Sequence, residues 1–276
     1  MVATSMDAVR IAQGARSDAR IETIDGQRCV TKRFNDYRGP PNVKLARELA
    51  FYRAYANVPI IPKLVAHGEP DTITVSHVDG ERLIDVIESG AGTDVIRAVS
   101  ANYGAVLAQF FESRGSPDET QARSYVAETV HRIQDAWARH PRWLKRPVCC
   151  ALDGLAALAD ATPPMMCKTD WSASNMLVQG DAVTCLYDFD TAYPGNRLTF
   201  LGDILGSASI RLDWPAVRDG LTSAGVAMPA PERLASAAHF SRFQVQLARA
   251  SHEDLGWPGP AQFAAHLEVL TRLAAN

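Results

Sequence analysis

Residues 165–190 read MMCKTDWSASNMLVQGDAVTCLYDFD, and this stretch decides the fold. Asp170 is followed five positions later by Asn175, and Asp188 opens a D-F-D triplet 13 positions beyond that. Two short apolar runs, 175–178 and 183–187, lie between them and are joined by Gln179, Gly180 and Asp181. Apolar, β-branched and aromatic residues on either side of a Gly/Asp turn predict a β-hairpin. The chain then runs from a loop at Asp170 into a hairpin whose second strand returns Asp188 beside that loop. Phosphoryl transfer from ATP needs such a set: one carboxylate for the attacking hydroxyl, and an amide with a second carboxylate for magnesium.

The spacing alone is a weak signal, because an Asp-x4-Asn pair arises by chance about once in a chain this long. A second reading of the same residues makes Asp170 an N-cap or turn residue, Asn175 a turn residue and Asp188 a strand-end cap. Residues further upstream discriminate between the two. Short strands are predicted over 8–12, 19–24 and 27–34, the last two joined by Asp25-Gly26, a strong hairpin signal. A helix is predicted from Asn42 to about Asn57, closed by Pro59 and Pro62, and two more strands over 65–68 and 72–76. From Val78-Asp79-Gly80 onward the pattern turns helical, over 94–113, 119–139 and 148–160, and after the motif over 199–211, 215–224, 231–252 and 260–275.

Strand alternation puts Lys32 on the same side as Val30 and Phe34, opposite Thr31. A lysine among inward-facing apolar residues needs a partner, and Glu48 in the following helix is the natural one. A kinase places a lysine on its third strand against the α- and β-phosphates and holds it with a helix glutamate. The competing reading leaves Lys32 solvated beside Arg33 and pairs Glu48 with Lys44, one helical turn away. Gly14, in the turn 12–18, is either part of a phosphate-covering loop or an ordinary turn glycine.

The 276 residues suffice for one large domain or two lobes, and at 47% hydrophobic and 21% charged they match an ordinary globular protein. A net charge of −3 gives no basic footprint for nucleic acid or anionic membranes. No apolar run reaches the roughly 20 residues of a membrane helix, and the N-terminus does not read as a signal peptide. Five scattered cysteines without a C-x-x-C read as reduced thiols of a cytoplasmic protein, and zinc is not expected.

On these residues the chain resembles the aminoglycoside phosphotransferase/choline kinase branch of the protein-kinase-like fold. That family carries H-x-D-x4-N, then D-[FW]-[DE], then a further Asp in a Gly/Asp-rich segment before the next helix. Asp170 and Asn175 match the first element, Asp188-Phe189-Asp190 the second, and Gly202-Asp203-Ile204-Leu205 resembles the third. Lys32 and Glu48 match the nucleotide lysine and its helix partner, and 74–83 is similar to the hinge and the turn after it. The resemblance implies an α+β, bilobal fold, with a small β-rich N-lobe over 1–79 and a larger helical C-lobe over 80–276. It further implies ATP and Mg2+ as cofactors and Asp170 as the catalytic residue. Lys32, Glu48, Gly14, Ser76 and Val78 fall to the nucleotide, and Asn175 and Asp188 to the metal. The implied acceptor is a hydroxyl of a small polar molecule: an aminoglycoside, another antibiotic, a sugar or an amino alcohol. The acidic, aromatic segment 251–257 is a candidate acceptor contact or else a solvated helix end.

Two departures stand out: Lys168 occupies the position of the family's histidine, and the phosphate loop is poor in glycine. Lipopolysaccharide-core sugar kinases and atypical protein kinases are alternatives on the same motif. So is a nucleotide-binding member that has lost its chemistry.

Overall fold

Asp25 and Gly26, with φ of 49° and 78°, close a tight hairpin whose positive dihedrals suit the right-handed twist of the flanking strands. The computed structural model describes residues 9–13, 17–36, 40–68, 71–113, 164–208 and 211–250, with the backbone only for 9–13, 208 and 243–250. Strands β1 (Val9–Gln13), β2 (Ser17–Ile24) and β3 (Gln27–Phe34) form a meander. Helix α1 (Pro41–Ala54) follows, then β4 (Leu64–Gly68) and β5 (Thr72–Ser76). The five strands form one antiparallel sheet in the order β1-β2-β3-β5-β4, so β5 inserts beside β3 and β4 becomes an edge. The start of α1 lies one residue before the sequence expectation. Pro40 is the cap and Pro41 occupies the first turn, where its missing N–H costs nothing.

Past the connection 77–80 come the two-residue strand β6 (Glu81–Arg82), helix α2 (Leu83–Glu88) and helix α3 (Thr93–Glu112). Strand β7 (Met165–Lys168) leads into a 3-10 turn at Ala173–Asn175 and the hairpin β8 (Met176–Gln179) and β9 (Ala182–Leu186). Strand β10 (Ala192–Gly195) returns to pair with β7, and helices α4 (Arg197–Ala208), α5 (Trp214–Ser223) and α6 (Pro231–Ala250) follow. The helices expected over 119–139, 148–160 and 260–275, and the segment 251–257, lie outside the described residues. Among the described residues no helix is long and apolar enough to cross a membrane.

One buried cluster runs through both parts of the molecule. Phe51 of α1 stacks on Phe189 with ring centroids 4.2 Å apart, and Trp171 sets its edge against Phe110 and Phe200 at 5.8 and 4.9 Å. Tyr55 at the end of α1 donates to the Met166 carbonyl at 2.6 Å, and the Leu186 N–H donates to the Ile60 carbonyl at 2.9 Å. The end of the first helix and the segment that follows it are thus fastened to both strands that frame the motif. Helices α3 and α5 cross so closely that a Cβ on Gly104 would meet the Val217 carbonyl oxygen at 2.0 Å, and one on Gly220 the Ala101 oxygen at 2.1 Å. Hairpin β8–β9 rests against α3, where Asn102 Oδ1 accepts from the Val183 N–H at 2.8 Å.

Candidate active site

Residue 32 sits in the middle of β3, paired with Ala19 on one side and Ile73 on the other. The row next to it is Ile21, Val30 and Val75, so the face bearing Lys32 is otherwise apolar. Lys32 Nζ lies 4.7 Å from the Phe34 ring centroid, on the side that alternation assigns. It reaches Glu48 Oε2 at 2.7 Å and Asp188 Oδ1 at 2.5 Å. Three residues from a strand, a helix and the end of a distant hairpin therefore meet at one ammonium. Glu48 thus meets Lys32, while Lys44, its alternative partner, is buried and donates to the Asn35 carbonyl.

Burial opposes the charge on Lys32, but Asp188, Glu48 and Asp190 together more than offset it and hold the lysine above its ordinary value. Burial pushes the Glu48 carboxyl up to about 7 against the pull of Lys32. Asp188, with 35% of its side chain exposed against 3% for Glu48, is the better-solvated carboxylate and the principal counter-ion.

Asp170 is half-buried on the loop after β7. Its Oδ1 accepts from the Ser172 N–H at 3.2 Å, and its carbonyl accepts from Asn175 Nδ2 at 3.4 Å. Asn175 ends the 3-10 turn and is 8% exposed, and its carbonyl accepts from the Tyr187 N–H at 3.2 Å. The loop is thereby tied to the strand end immediately before Asp188. Oxygen donors from one amide and one carboxylate, leaving the rest of the shell open, fit a hard divalent cation completed by phosphate and water. A cation, the Lys32 ammonium, already sits on Asp188.

Ser76 ends β5 with its N–H on the Lys63 carbonyl at 2.8 Å and its Oγ accepting from the Lys63 N–H at 2.9 Å. Val78 follows, half-buried in the connection 77–80, where the His77 N–H donates to the Arg28 carbonyl at 3.0 Å. Gly14 lies outside the described residues.

Several features of the site escaped the sequence. Lys168, 1% exposed, donates from Nζ to the Tyr187 carbonyl at 3.0 Å and sits 4.8 Å from the Phe189 ring and 5.4 Å from that of Trp171. Burial pulls its ammonium below the ordinary lysine value, opposed by Asp170, Asp188, Asp190 and Glu48. Such depth removes it from any direct reach into solvent. Asp190, 3% exposed, adds to the field at Lys32 and Glu48, and the second acid of the D-F-D triplet was its only signal. Asp203 lies inside α4, as the helix predicted over 199–211 places it, but it is fully buried and accepts from Tyr193 Oη at 2.5 Å.

A five-stranded antiparallel sheet with an inserted helix, a lysine–glutamate pair between them and a loop–hairpin carrying Asp, Asn and Asp define the protein-kinase-like class. The model of the phosphotransferase enzyme family (APH) matches residues 7–236, and the chain belongs to that family. No curated protein matches it. Similar solved structures include ADP-bound aminoglycoside phosphotransferase APH(2'')-Ib at 13% identity and a TM-score of 0.59, covering 99% of this chain and 94% of that one. A thermostable mutant of aminoglycoside phosphotransferase APH(4)-Ia in ternary complex with AMP-PNP and hygromycin B is 16% identical, with a TM-score of 0.63 and coverage of 100% and 96%. A choline/ethanolamine kinase family protein from Mesorhizobium loti is 13% identical, with a TM-score of 0.62 and coverage of 100% and 90%. At these identities the likeness is one of fold.

Proposed function

We propose that the protein is an ATP- and Mg2+-dependent phosphotransferase that phosphorylates a hydroxyl of a small polar molecule. The observation that carries the proposal is the Lys32 ammonium held at 2.7 Å from Glu48 and 2.5 Å from Asp188. A charged lysine this deep is costly unless it is paired, and this pairing aims it into the space under the β3 face.

In this reading Lys32, positioned by Glu48, holds the α- and β-phosphates of ATP. The hinge at Ser76 and Val78 offers its backbone to the base, below the apolar row of Ile21, Val30 and Val75. Gly14 covers the phosphates. Asn175 and Asp188 hold Mg2+, which when bound neutralises charge on the β- and γ-phosphates. Asp170 accepts a hydrogen bond from the acceptor hydroxyl and takes its proton late in a loose transition state. The new bond joins the acceptor oxygen to the γ-phosphorus, the bond from that phosphorus to the β,γ-bridging oxygen breaks, and ADP leaves with the bond's electrons. Rate enhancement comes from positioning and charge complementarity, with no covalent enzyme intermediate.

The solved neighbours crystallised with ADP, or with AMP-PNP and hygromycin B, support a nucleotide and a small-molecule acceptor. Aminoglycosides, other antibiotics, sugars and amino alcohols are the acceptor classes to assay. Lobe boundaries at 1–79 and 80–276 follow from the same reading, with the hinge between them. Buried free thiols at Cys29, Cys167 and Cys185 suit a cytoplasmic enzyme.

Asp188→Ala tests the metal assignment by calorimetry. The variant is expected to lose Mg2+-dependent nucleotide binding and to remain folded. Wild-type affinity for Mg-ATP in the variant contradicts the assignment.

A further inference from the structure

The backbone at Asp188 has φ of 63°, one of three non-glycine residues in the left-handed region among those described. The other two, Asp25 and Asp71, lie in turns between strands, where such dihedrals are ordinary. Asp188 lies past the end of β9, between the buried Leu186 and Phe189, and it carries the carboxylate that meets Lys32. A left-handed dihedral at a residue with a Cβ costs energy and persists only where its surroundings hold it.

The φ angle of Asp188 is set by the orientation of the peptide plane that precedes it, and that plane carries the Tyr187 carbonyl. Lys168 Nζ donates to this oxygen at 3.0 Å. The plane before that is fixed as well, since the Tyr187 N–H donates to the Asn175 carbonyl at 3.2 Å. The Lys168 ammonium is trapped in turn, over the faces of Phe189 at 4.8 Å and Trp171 at 5.4 Å. Phe189 follows Asp188 directly and is stacked on Phe51 of α1. Tyr187 and Phe189, the residues flanking Asp188, are thus both held by one buried side chain from the strand that leads into the Asp170 loop.

We infer that Lys168 is a positioning residue that locks the Tyr187–Asp188 peptide and so keeps Asp188 in its left-handed conformation, with its carboxylate presented to Lys32 and to the metal. The metal half of this inference rests on the phosphotransferase reading, and the backbone half does not. A single ammonium couples the Asp170 loop to the metal-bearing strand end. The departure of this chain at position 168 is therefore a brace beneath the site and not a phosphate contact.

Hydrogen–deuterium exchange over the peptide spanning 183–192, compared between wild type, Lys168→Met and Lys168→Gln, tests the brace without any ligand. The Met variant fills the same space without a donor and is expected to exchange about 10-fold faster or more around Asp188, the scale of losing a charge-assisted hydrogen bond. Its thermal midpoint is expected to fall only modestly, because the buried Tyr187 carbonyl loses its donor while the cost of burying the ammonium is removed. Gln keeps an N–H donor without the charge, and it also serves if the Met variant does not fold. Its exchange is expected within about 3-fold of wild type, since the donor is what the brace requires. Unchanged exchange in the Met variant, or Gln exchanging as fast as Met, overturns the inference. A parallel titration of ADP binding against Mg2+ should show the Met variant needing about 10-fold more Mg2+ for half-saturation, with Mg2+-free binding unaltered. Accelerated exchange beside a wild type whose nucleotide binding ignores Mg2+ overturns the phosphotransferase reading and leaves the brace standing.

Discussion

Asp170 and Asp203 are both acidic, and their surroundings give them opposite tasks. Asp170 stands half-buried on a loop with its Oδ1 on a single backbone N–H. In the proposed function this carboxylate meets a substrate hydroxyl and acts mainly in the transition state, while other residues hold ATP. Asp170→Asn keeps the shape and removes the base, so kcat is expected to fall about 100-fold or more, with ATP affinity nearly unchanged. Steady-state kinetics beside nucleotide titration checks this. Near-normal turnover assigns the role elsewhere. Asp203 is buried in α4, and burial pushes its carboxyl up to about 8 although the Ser241 and Tyr193 hydroxyls pull it down. The folded state then keeps a proton that the unfolded chain releases near 3.9. That contribution to stability is full below about 4 and is lost as pH rises through about 8. Thermal unfolding from pH 5 to 8.5 should therefore show the midpoint of wild type falling with pH more steeply than that of Asp203→Asn. Equal slopes would show that Asp203 is ionised in the fold.

Elements with a clear period were legible, and those held by tertiary contacts were not. The Asp25-Gly26 hairpin, the β3 lysine face, the helix bearing Glu48 and the β8–β9 hairpin all follow from local pattern and turn chemistry. Strands β7 and β10 do not, because each has four residues and Pro194 interrupts the second. They pair only because the chain leaves and re-enters the buried Trp171–Phe189 cluster between them. The 3-10 turn at Ala173–Asn175 was equally invisible, and so was the place of Lys168, since no pattern announces that a lysine is 1% exposed. Nor does the composition of α3 and α5 reveal that their backbones nearly touch. Gly104→Ala would put a methyl carbon 2.0 Å from the Val217 oxygen, an overpacking expected to cost about 1–3 kcal/mol or more. Denaturant unfolding of that variant reads the cost, and wild-type stability would mean that the two helices have room to separate.

At the scale of the whole molecule, the site is assembled by three joints between its parts. Phe51 stacks on Phe189, Tyr55 holds the Met166 carbonyl, and Leu186 donates to Ile60. Lys32 closes the gap in front of them: it meets Glu48 and reaches Asp188, 156 positions further along the sequence. Side chains from both parts thus face one ammonium, while the loop that carries Asp170 hangs from the same strand end. Family membership and fold agree with a phosphotransferase, and the acceptor hydroxyl is the part that neither specifies. The most direct test incubates the protein with Mg-ATP and a panel of aminoglycosides, sugars and amino alcohols, and looks by mass spectrometry for a phosphate monoester. The expected result is an ester on a hydroxyl of at least one acceptor that requires Mg2+ and disappears in Asp170→Asn. Binding of Mg-ATP with no ester on any acceptor, and no ADP above the level of Asp170→Asn, would contradict it.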